Sequence, residues 1–118
     1  MSNSRTRVVV TGIGLITPVG NDAGSTWEAL IAGRSGIGPI TLFDTAAYEC
    51  PIAGEVRDFD PAAFVDAKVL RRLDRSSVFA LAGAQQALAD AGIDMARENP
   101  KRVGVVRSEE HTSELQSR

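Results

Sequence analysis

The chain has 118 residues, of which 43% are hydrophobic and 24% are charged. This length suits one small domain, and the composition is that of a globular protein, so a fibrous or wholly disordered chain is excluded. Thirteen Lys and Arg against fifteen Asp and Glu give a net charge of −2. A charge so evenly balanced argues against a general nucleic-acid binder.

Neither a secretory signal nor a membrane span is predicted. Residues 1–5 contain no apolar h-region, and the longest aliphatic run near the start is Val8–Val10. The single cysteine, Cys50, cannot form a disulfide within the chain. A reducing, cytoplasmic setting is therefore expected.

The composition changes abruptly after Val106. Residues 107–118 contain a single apolar residue, Leu115, and so polar a segment cannot offset its ordering entropy by burial. One interpretation is a solvated terminal tail. Because the string also resembles a translated sequencing adapter, we predict a disordered, non-native tail at 107–118 after a body at 1–106. The only histidine, His111, lies in this tail and is assigned no catalytic or metal role.

A strand and a helix are predicted on either side of a glycine-rich loop. Arg7–Thr11 is a β-branched run without polar alternation, which predicts a buried parallel strand. In the helix after the loop, Ser25 and Glu28 fit a capping box, and Asn21 is a competing cap. The residues expected on its apolar face and at its end are Trp27, Leu30, Ile31 and Gly33.

One long helix and several short elements complete the body. The long helix is predicted over Arg75–Ala91, between a cap at Asp74 and a stop at Gly92. The patterns also predict a loop at 36–39, an edge strand or extended segment at 52–56, a helical turn after Asp60, a short helix at 68–73 and a strand at 102–106. This alternation of strands and helices predicts the α/β class.

The pair Gly12-x-Gly14 invites a dinucleotide-binding interpretation. That fingerprint requires a third glycine where Thr17 stands, and Pro18 follows. A structural turn is therefore favoured, and a free-standing nucleotide-binding module is disfavoured.

Two other groups are predicted to be structural. Cys50 has Glu49 beside it and lacks the neighbouring cations that activate a thiol, so a partly buried apolar side chain is expected. Four carboxylates in loop-like sequence are predicted to serve as turn and cap residues: Asp44, Glu55, Asp58 and Asp60.

Four cations lie within eight residues of this acidic chain: Lys68, Arg71, Arg72 and Arg75. On a helix, residues three and four apart share a face. Charge alone favours a solvated face paired with Asp66 and Asp74. The alternative is a docking patch for an acidic partner, in which long-range attraction raises the association rate.

Segments along the whole body match one family in order and spacing. They are Val8–Gly20, Ser25–Leu30, Gly33–Ile37, Phe43-Asp44, Ile52–Val56, Asp58–Pro61, Arg71–Arg75 and Arg102–Val105. Over about residues 5–106, the sequence closely resembles β-ketoacyl-acyl-carrier-protein synthases of the fatty-acid-elongating kind. Each segment alone is modest evidence, but the order and spacing of all of them together are highly specific.

The resemblance implies the N-terminal part of a thiolase-like α/β fold with α-β-α-β-α layers, incomplete in this chain. It also implies a cytoplasmic homodimer, no metal or organic cofactor, and a decarboxylative Claisen condensation between an acyl group and malonyl acyl carrier protein. The family's catalytic Cys-His-His set has no match here, since Cys50 is outside the nucleophile motif. We therefore expect the 118-residue chain to be inactive and to fold poorly alone.

The resemblance also assigns a role to the cations. Lys68, Arg71 and Arg72 match the family's basic positions, which meet the acidic helix of acyl carrier protein, and this favours the docking interpretation. Arg75 is an adjacent candidate with weaker support. Two alternatives stay open: a non-catalytic chain-length-factor subunit and a ketosynthase of polyketide assembly.

Overall fold

A computed structural model describes residues 4–108 of the chain. Residues 109–118 lie outside the described part, and so do His111 and most of the predicted tail. The helices and strands are α1 (Ala23–Ile31), β1 (Ile37–Pro39), β2 (Ile52–Gly54), α2 (Ala67–Leu70) and α3 (Arg75–Ala91). Single 3-10 turns occur at Pro61–Ala63 and Pro100–Arg102. No helix in the described residues is long and apolar enough to cross a membrane.

Helix α3 has the bounds that the sequence predicts. The Asp74 side chain caps it by accepting a hydrogen bond from the Ser77 amide at 2.7 Å. Gly92 ends it at φ +67°, a left-handed conformation that favours glycine. Val78 and Ala82 are its buried residues. The buried apolar side chains of the described part as a whole are Ala29, Val65, Val78 and Ala82.

The glycine-rich loop packs against the backbone of α3. A β-carbon on Gly12 would lie within 2.8 Å of Ala91, and one on Gly14 would overlap the Gly83 carbonyl. Two polar contacts hold the same segment, since the Ile13 amide donates to Asp90 at 2.9 Å and the Leu15 amide donates to Gln86 at 3.0 Å. The glycines therefore permit close approach of two backbones, which fits the predicted structural turn.

Helix α1 begins at a different residue from the one predicted. Asp22 is the cap, and its carboxylate accepts hydrogen bonds from both the amide and the hydroxyl of Ser25 at 2.7 Å. The expectation of a cap at Ser25 or Asn21 was wrong, because the carboxylate of Asp22 takes the acceptor role. Gly33 follows the helix at φ +67°, as predicted for its stop.

The predicted apolar face of α1 is not buried. Trp27 is 64% exposed, and the next two members of that face, Leu30 and Ile31, are exposed as well. The helix buries Thr26 and Ala29 instead. The Thr26 hydroxyl lies 3.0 Å from that of Thr17 in the glycine-rich loop, so a polar contact turns this side of the helix inward. The helical periodicity predicts an apolar face, but it does not show whether another part of the chain packs against that face.

The first and last predicted strands are absent. Residues 7–11 and 103–106 form no ladder, and Val8 and Val106 are 89% and 100% exposed. A buried parallel strand requires neighbours on both sides, and nothing in residues 4–108 pairs with either segment. These two predictions are therefore wrong for the described chain.

A short hairpin replaces the loop predicted at 36–39. Strands β1 and β2 are antiparallel, with Ile37 opposite Gly54 and Pro39 opposite Ile52. The predicted strand at 52–56 thus exists over its first three residues, and the 36–39 loop prediction was wrong. Pro39 is tolerated because this is an isolated pair of edge strands.

Candidate functional site

The basic cluster, defined as Lys68, Arg71 and Arg72, lies on α2 and at its end. Asp66 begins this helix by accepting a hydrogen bond from the Lys68 amide at 2.8 Å. Helix α2 ends at Leu70, shorter than the predicted 68–73, and residues 71–73 continue as a turn. All three side chains of the basic cluster are exposed.

The carboxylates beside the basic cluster serve as helix caps. Asp66 caps α2, and Asp74 caps α3 through Ser77 and through the Ser76 hydroxyl at 3.1 Å. Within residues 4–108, the ion pair is Arg97 with Asp94, at 3.6 Å. The pairing of the basic cluster with Asp66 and Asp74 that charge alone favours is therefore not observed in the described part.

Arg75 differs from the basic cluster in its contacts. Its guanidinium donates a hydrogen bond to the Val56 carbonyl at 3.0 Å and lies 4.8 Å from the centre of the Phe79 ring. The cation–π contact and the hydrogen bond fix this side chain in place. Arg75 therefore acts first as a link between the segment after β2 and helix α3.

An open apolar cavity of about 200 Å³ adjoins the basic cluster. Phe59 forms its aromatic side, with the Phe79 ring edge-on at 5.1 Å and the Phe64 ring stacked behind at 5.6 Å. The lining residues are Phe59, Pro61, Leu70, Leu73, Arg75, Val78 and Phe79. The sequence pattern does not indicate this cavity, because its walls come from separate segments that only the fold brings together.

A second, more polar hollow of about 370 Å³ lies where the glycine-rich loop meets the start of α1. Asn21 spans its floor, donating to the Arg57 and Asp58 carbonyls at 2.8 and 3.1 Å. Asp58 has φ +53°, a left-handed conformation that glycine, asparagine and aspartate adopt more readily than other residues. At the α1 N-terminus, the Asp22 carboxylate accepts from the Ser25 amide, so that amide is not available to a phosphate.

Three of the four loop carboxylates have the predicted kind of position. Asp44 accepts from the Ala46 amide at 3.0 Å, Asp60 caps the turn at Pro61–Ala63, and Asp58 sits in a tight bend. The fourth, Glu55, is buried and joins β2 to the segment after β1. Its carboxylate accepts hydrogen bonds from the amide and hydroxyl of Thr41 and from a further amide, that of Leu42.

These hydrogen bonds stabilise the ionised form of Glu55. The amide of Thr41 contributes most to holding the pKa of Glu55 below its ordinary value, followed by the Thr41 hydroxyl, with burial opposing them. The prediction that Glu55 is a simple turn or cap residue was wrong, since it connects two segments of the hairpin. It is a structural carboxylate, fully engaged with backbone and hydroxyl donors.

Cys50 is exposed and forms no disulfide, so the prediction of a partly buried side chain was wrong. Its thiol lies 3.7 Å from the Ile52 carbonyl, at the edge of the hairpin. In the described residues, no group of three or more His, Cys, Asp and Glu side chains is arranged to hold a metal ion. The basic cluster with its adjoining cavity is therefore the candidate site with the clearest physical character.

The family model for the β-ketoacyl synthase N-terminal domain matches residues 5–117. The chain belongs to the β-ketoacyl synthase family. Its mixed helix-and-strand structure is part of the thiolase-like fold of a ketosynthase, which confirms the predicted fold class. The resemblance recognised from the sequence is confirmed with it.

Similar proteins include two named 3-oxoacyl-acyl-carrier-protein synthase 2. The one from Coxiella burnetii is 48% identical over 99 residues, covering 84% of this chain and 24% of the relative. The one from Synechocystis is 47% identical over 100 residues, covering 85% and 24%. A solved structure, "The ishigamide ketosynthase/chain length factor", matches with a TM-score of 0.72 and 39% identity over 79% of this chain and 23% of that one. This β-ketoacyl synthase chain spans about a quarter of the length of its relatives.

Proposed function

We propose that this chain is the N-terminal part of a 3-oxoacyl-acyl-carrier-protein synthase that elongates fatty acids. The relatives named as such synthases, at 47–48% identity, support this assignment. The complete enzyme would form a carbon–carbon bond between an acyl thioester and the carbanion that malonyl acyl carrier protein yields on losing CO₂. The resemblance supports a cytoplasmic homodimer that uses no metal or organic cofactor.

Within that enzyme, the function proposed for this chain is binding of the partner protein. We assign the basic cluster, Lys68, Arg71 and Arg72, to docking of acyl carrier protein. The observation that carries this assignment is that three exposed cations share one short helix and its end, while the nearest carboxylates cap helices. Exposed charges that lack such pairing attract an oppositely charged partner over a Debye length of about 8 Å at physiological salt.

We assign none of the catalytic steps to the residues of this chain. The resemblance matches no residue here to the family's Cys-His-His set, and we propose that residues 107–118, with His111, are a non-native tail after the body at 1–106. The 118-residue chain alone is therefore expected to transfer no acyl group and release no CO₂ from malonyl acyl carrier protein. Release of labelled CO₂ from carbon-14 malonyl acyl carrier protein, measured with the purified chain, tests this expectation. Release above the protein-free background would contradict it.

The docking assignment is tested in a hybrid synthase, in which residues 5–106 replace the matching segment of the Coxiella burnetii relative. Charge reversal at Lys68, Arg71 and Arg72 is expected to raise the KM for acyl carrier protein substrates by about tenfold or more and to flatten its dependence on salt. Transfer of the acyl group to the enzyme from a carrier-free acyl thioester, a step that involves no carrier protein, should not change. Arg34→Glu, at an exposed position outside the basic cluster, is the matched control.

Each result decides one part of the proposal. An unchanged KM at low salt after charge reversal would remove the docking role. A hybrid that folds but elongates neither kind of substrate would contradict the assignment of this chain to an elongating synthase.

The second candidate is the non-catalytic chain-length-factor subunit of a ketosynthase pair, which the solved ketosynthase/chain-length-factor structure favours. The two candidates differ at the nucleophile position, because a chain-length factor lacks the cysteine. Reading the uninterrupted genomic frame beyond Val106 discriminates them: a cysteine in the nucleophile motif supports a condensing enzyme, and another residue supports the chain-length factor.

A further inference from the structure

Helix α2, on and beside which the basic cluster lies, has four residues and buries none of them. So short a helix does not keep its position through its own hydrogen bonds, and the neighbouring chain must fix where these cations lie. Residues 56–64, the leading segment, bring the chain to α2. Only the buried Val65 and the cap residue Asp66 lie between the leading segment and the helix. The placement of the basic cluster therefore depends on how the leading segment is held.

Two side chains of α3 bind the leading segment at its two ends. The Arg75 guanidinium donates to the Val56 carbonyl at 3.0 Å, and the Gln85 amide donates to the Phe64 carbonyl at 2.9 Å. Both acceptors are main-chain oxygens, so the bonds fix the path of the backbone. The two donors are ten positions apart on α3, which is about 15 Å along a helix axis. The leading segment is thus attached at both ends to one continuous helix.

Arg75 makes two contacts that a lysine could not make together. Its guanidinium carbon lies 4.8 Å from the centre of the Phe79 ring while Nη2 donates to the Val56 carbonyl. A planar guanidinium can lie against a ring and donate at its edge, whereas an ammonium has a single nitrogen for both purposes. The same ring meets Phe59 of the leading segment at 5.1 Å. Arg75 is therefore used here for its shape as well as for its charge.

We propose that Arg75 and Gln85 are positioning residues for docking, which fix the leading segment and so place the basic cluster for its partner. This role rests on the proposed docking function and adds to it what sets the position of the cations. Both hydrogen bonds join residues within 4–108, so the role requires no surface that the rest of the protein leaves free. Loosening either bond lowers affinity through lost preorganisation, while the number of charges that meet the partner stays the same.

The experiment measures the Kd of fluorescently labelled acyl carrier protein for the hybrid synthase over a series of salt concentrations. Arg75→Lys keeps the charge and Gln85→Met introduces none. Each is expected to weaken binding by about fivefold, which corresponds to one hydrogen bond, with an unchanged dependence of Kd on salt. Arg71→Lys, the same substitution within the basic cluster, should retain the affinity, and Arg71→Gln should weaken binding and flatten the dependence on salt.

A second control separates positioning from a general loss of stability. Asp90→Ala removes another bond from α3 to a distant main-chain group, the Ile13 amide at 2.9 Å. This variant should lower the Tm and leave the Kd unchanged. Acyl transfer to the enzyme from a carrier-free thioester should be the same in Arg75→Lys and Gln85→Met as in the parent hybrid. Loss of that transfer would indicate a general structural role and would overturn the positioning role.

The remaining outcomes distinguish the positioning role from the docking function on which it rests. If charge reversal of the basic cluster weakens binding but Arg75→Lys or Gln85→Met does not, the positioning role fails and docking stands. Equal losses for Arg75→Lys and Arg71→Lys would make Arg75 one more docking contact and overturn its positioning role. If charge reversal itself leaves the Kd unchanged at low salt, the docking function fails.

Discussion

A β-carbon on Gly14 would overlap the carbonyl oxygen of Gly83. The glycine-rich loop thus meets α3 backbone to backbone, and the contact is asymmetric. A β-carbon on Gly83 would meet nothing nearer than the Gly14 oxygen at 3.8 Å, which is ordinary contact. The same pair of residues therefore has one position that requires glycine and one that does not.

Gly14→Ala is expected to destabilise the hybrid synthase by about 1–3 kcal/mol, because the loop must move off the helix. Gly83→Ala should be neutral or stabilising by up to about 1 kcal/mol, since alanine is the better helix former. Denaturant unfolding of both variants checks this. Equal losses for the two alanines would show that the close approach is not as described.

The prediction of α3 was correct and the predictions of the first and last strands were wrong, for different physical reasons. The cap at Asp74, the apolar period and the stop at Gly92 are local signals, so the sequence alone locates both ends of the helix. The segments at 7–11 and 103–106 carry a correct β-branched pattern, but a strand exists only when another strand pairs with it. No local pattern states where that neighbour is.

The candidate site likewise has one part that local sequence predicts and one part that it does not. The spacing of Lys68, Arg71 and Arg72 predicts a shared exposed position, and their exposure is observed. The cavity depends on Phe59 and Phe79 meeting at 5.1 Å across twenty positions of sequence, which no short-range rule anticipates. Glu55 was missed for a related reason, because its donors at Thr41 and Leu42 lie across the hairpin.

Glu55 makes the stability of the hairpin region depend on pH. Its pKa is lowered in the folded chain, chiefly by the Thr41 amide, so the stabilisation is present above the ordinary pKa of a glutamate and is lost as the pH falls through the lower folded value. Lowering the pH below about 4 is therefore expected to lower the Tm. Glu55→Gln should have a lower Tm at pH 7 and a weaker dependence on acid.

Glu49→Gln is the matched control for Glu55→Gln, since Glu49 is exposed on the same hairpin connection. Melting curves at pH 7 and at successively lower pH, recorded for both variants and the parent hybrid, provide the comparison. If the Glu55 variant lost the same number of degrees at every pH, the ionised carboxylate would not be the source of the effect.

The exposed valines predict self-association of the 118-residue chain on its own. Val8 and Val106 lie in exposed β-branched segments that pair with no strand in residues 4–108, and such segments add strands from other molecules. The apparent molar mass from static light scattering should rise with concentration, and the double variant Val9→Lys with Val105→Lys should reduce that rise. Val69→Lys, at an exposed valine on helix α2, should not. A monomeric chain with one sharp melting transition would contradict this expectation.

Asp74 links the stability of α3 to the candidate site, because α3 carries Val78 and Phe79 into the cavity. Asp74→Ala removes the acceptor for the Ser77 amide, so the first turn of α3 should fray and the Ser77 amide should exchange faster with deuterium. Asp74→Asn keeps an acceptor and should preserve protection of the Ser77 amide at pH 7.

The Asp74 cap also makes this protection depend on pH. Hydrogen bonds from the Ser77 side chain and then from the Ser77 backbone hold the pKa of Asp74 below its ordinary value. Protection in the parent should therefore be lost as the pH falls through that lowered value, while the asparagine variant stays insensitive to acid. Equal exchange in the alanine and asparagine variants at pH 7 would show that Asp74 does not cap the helix.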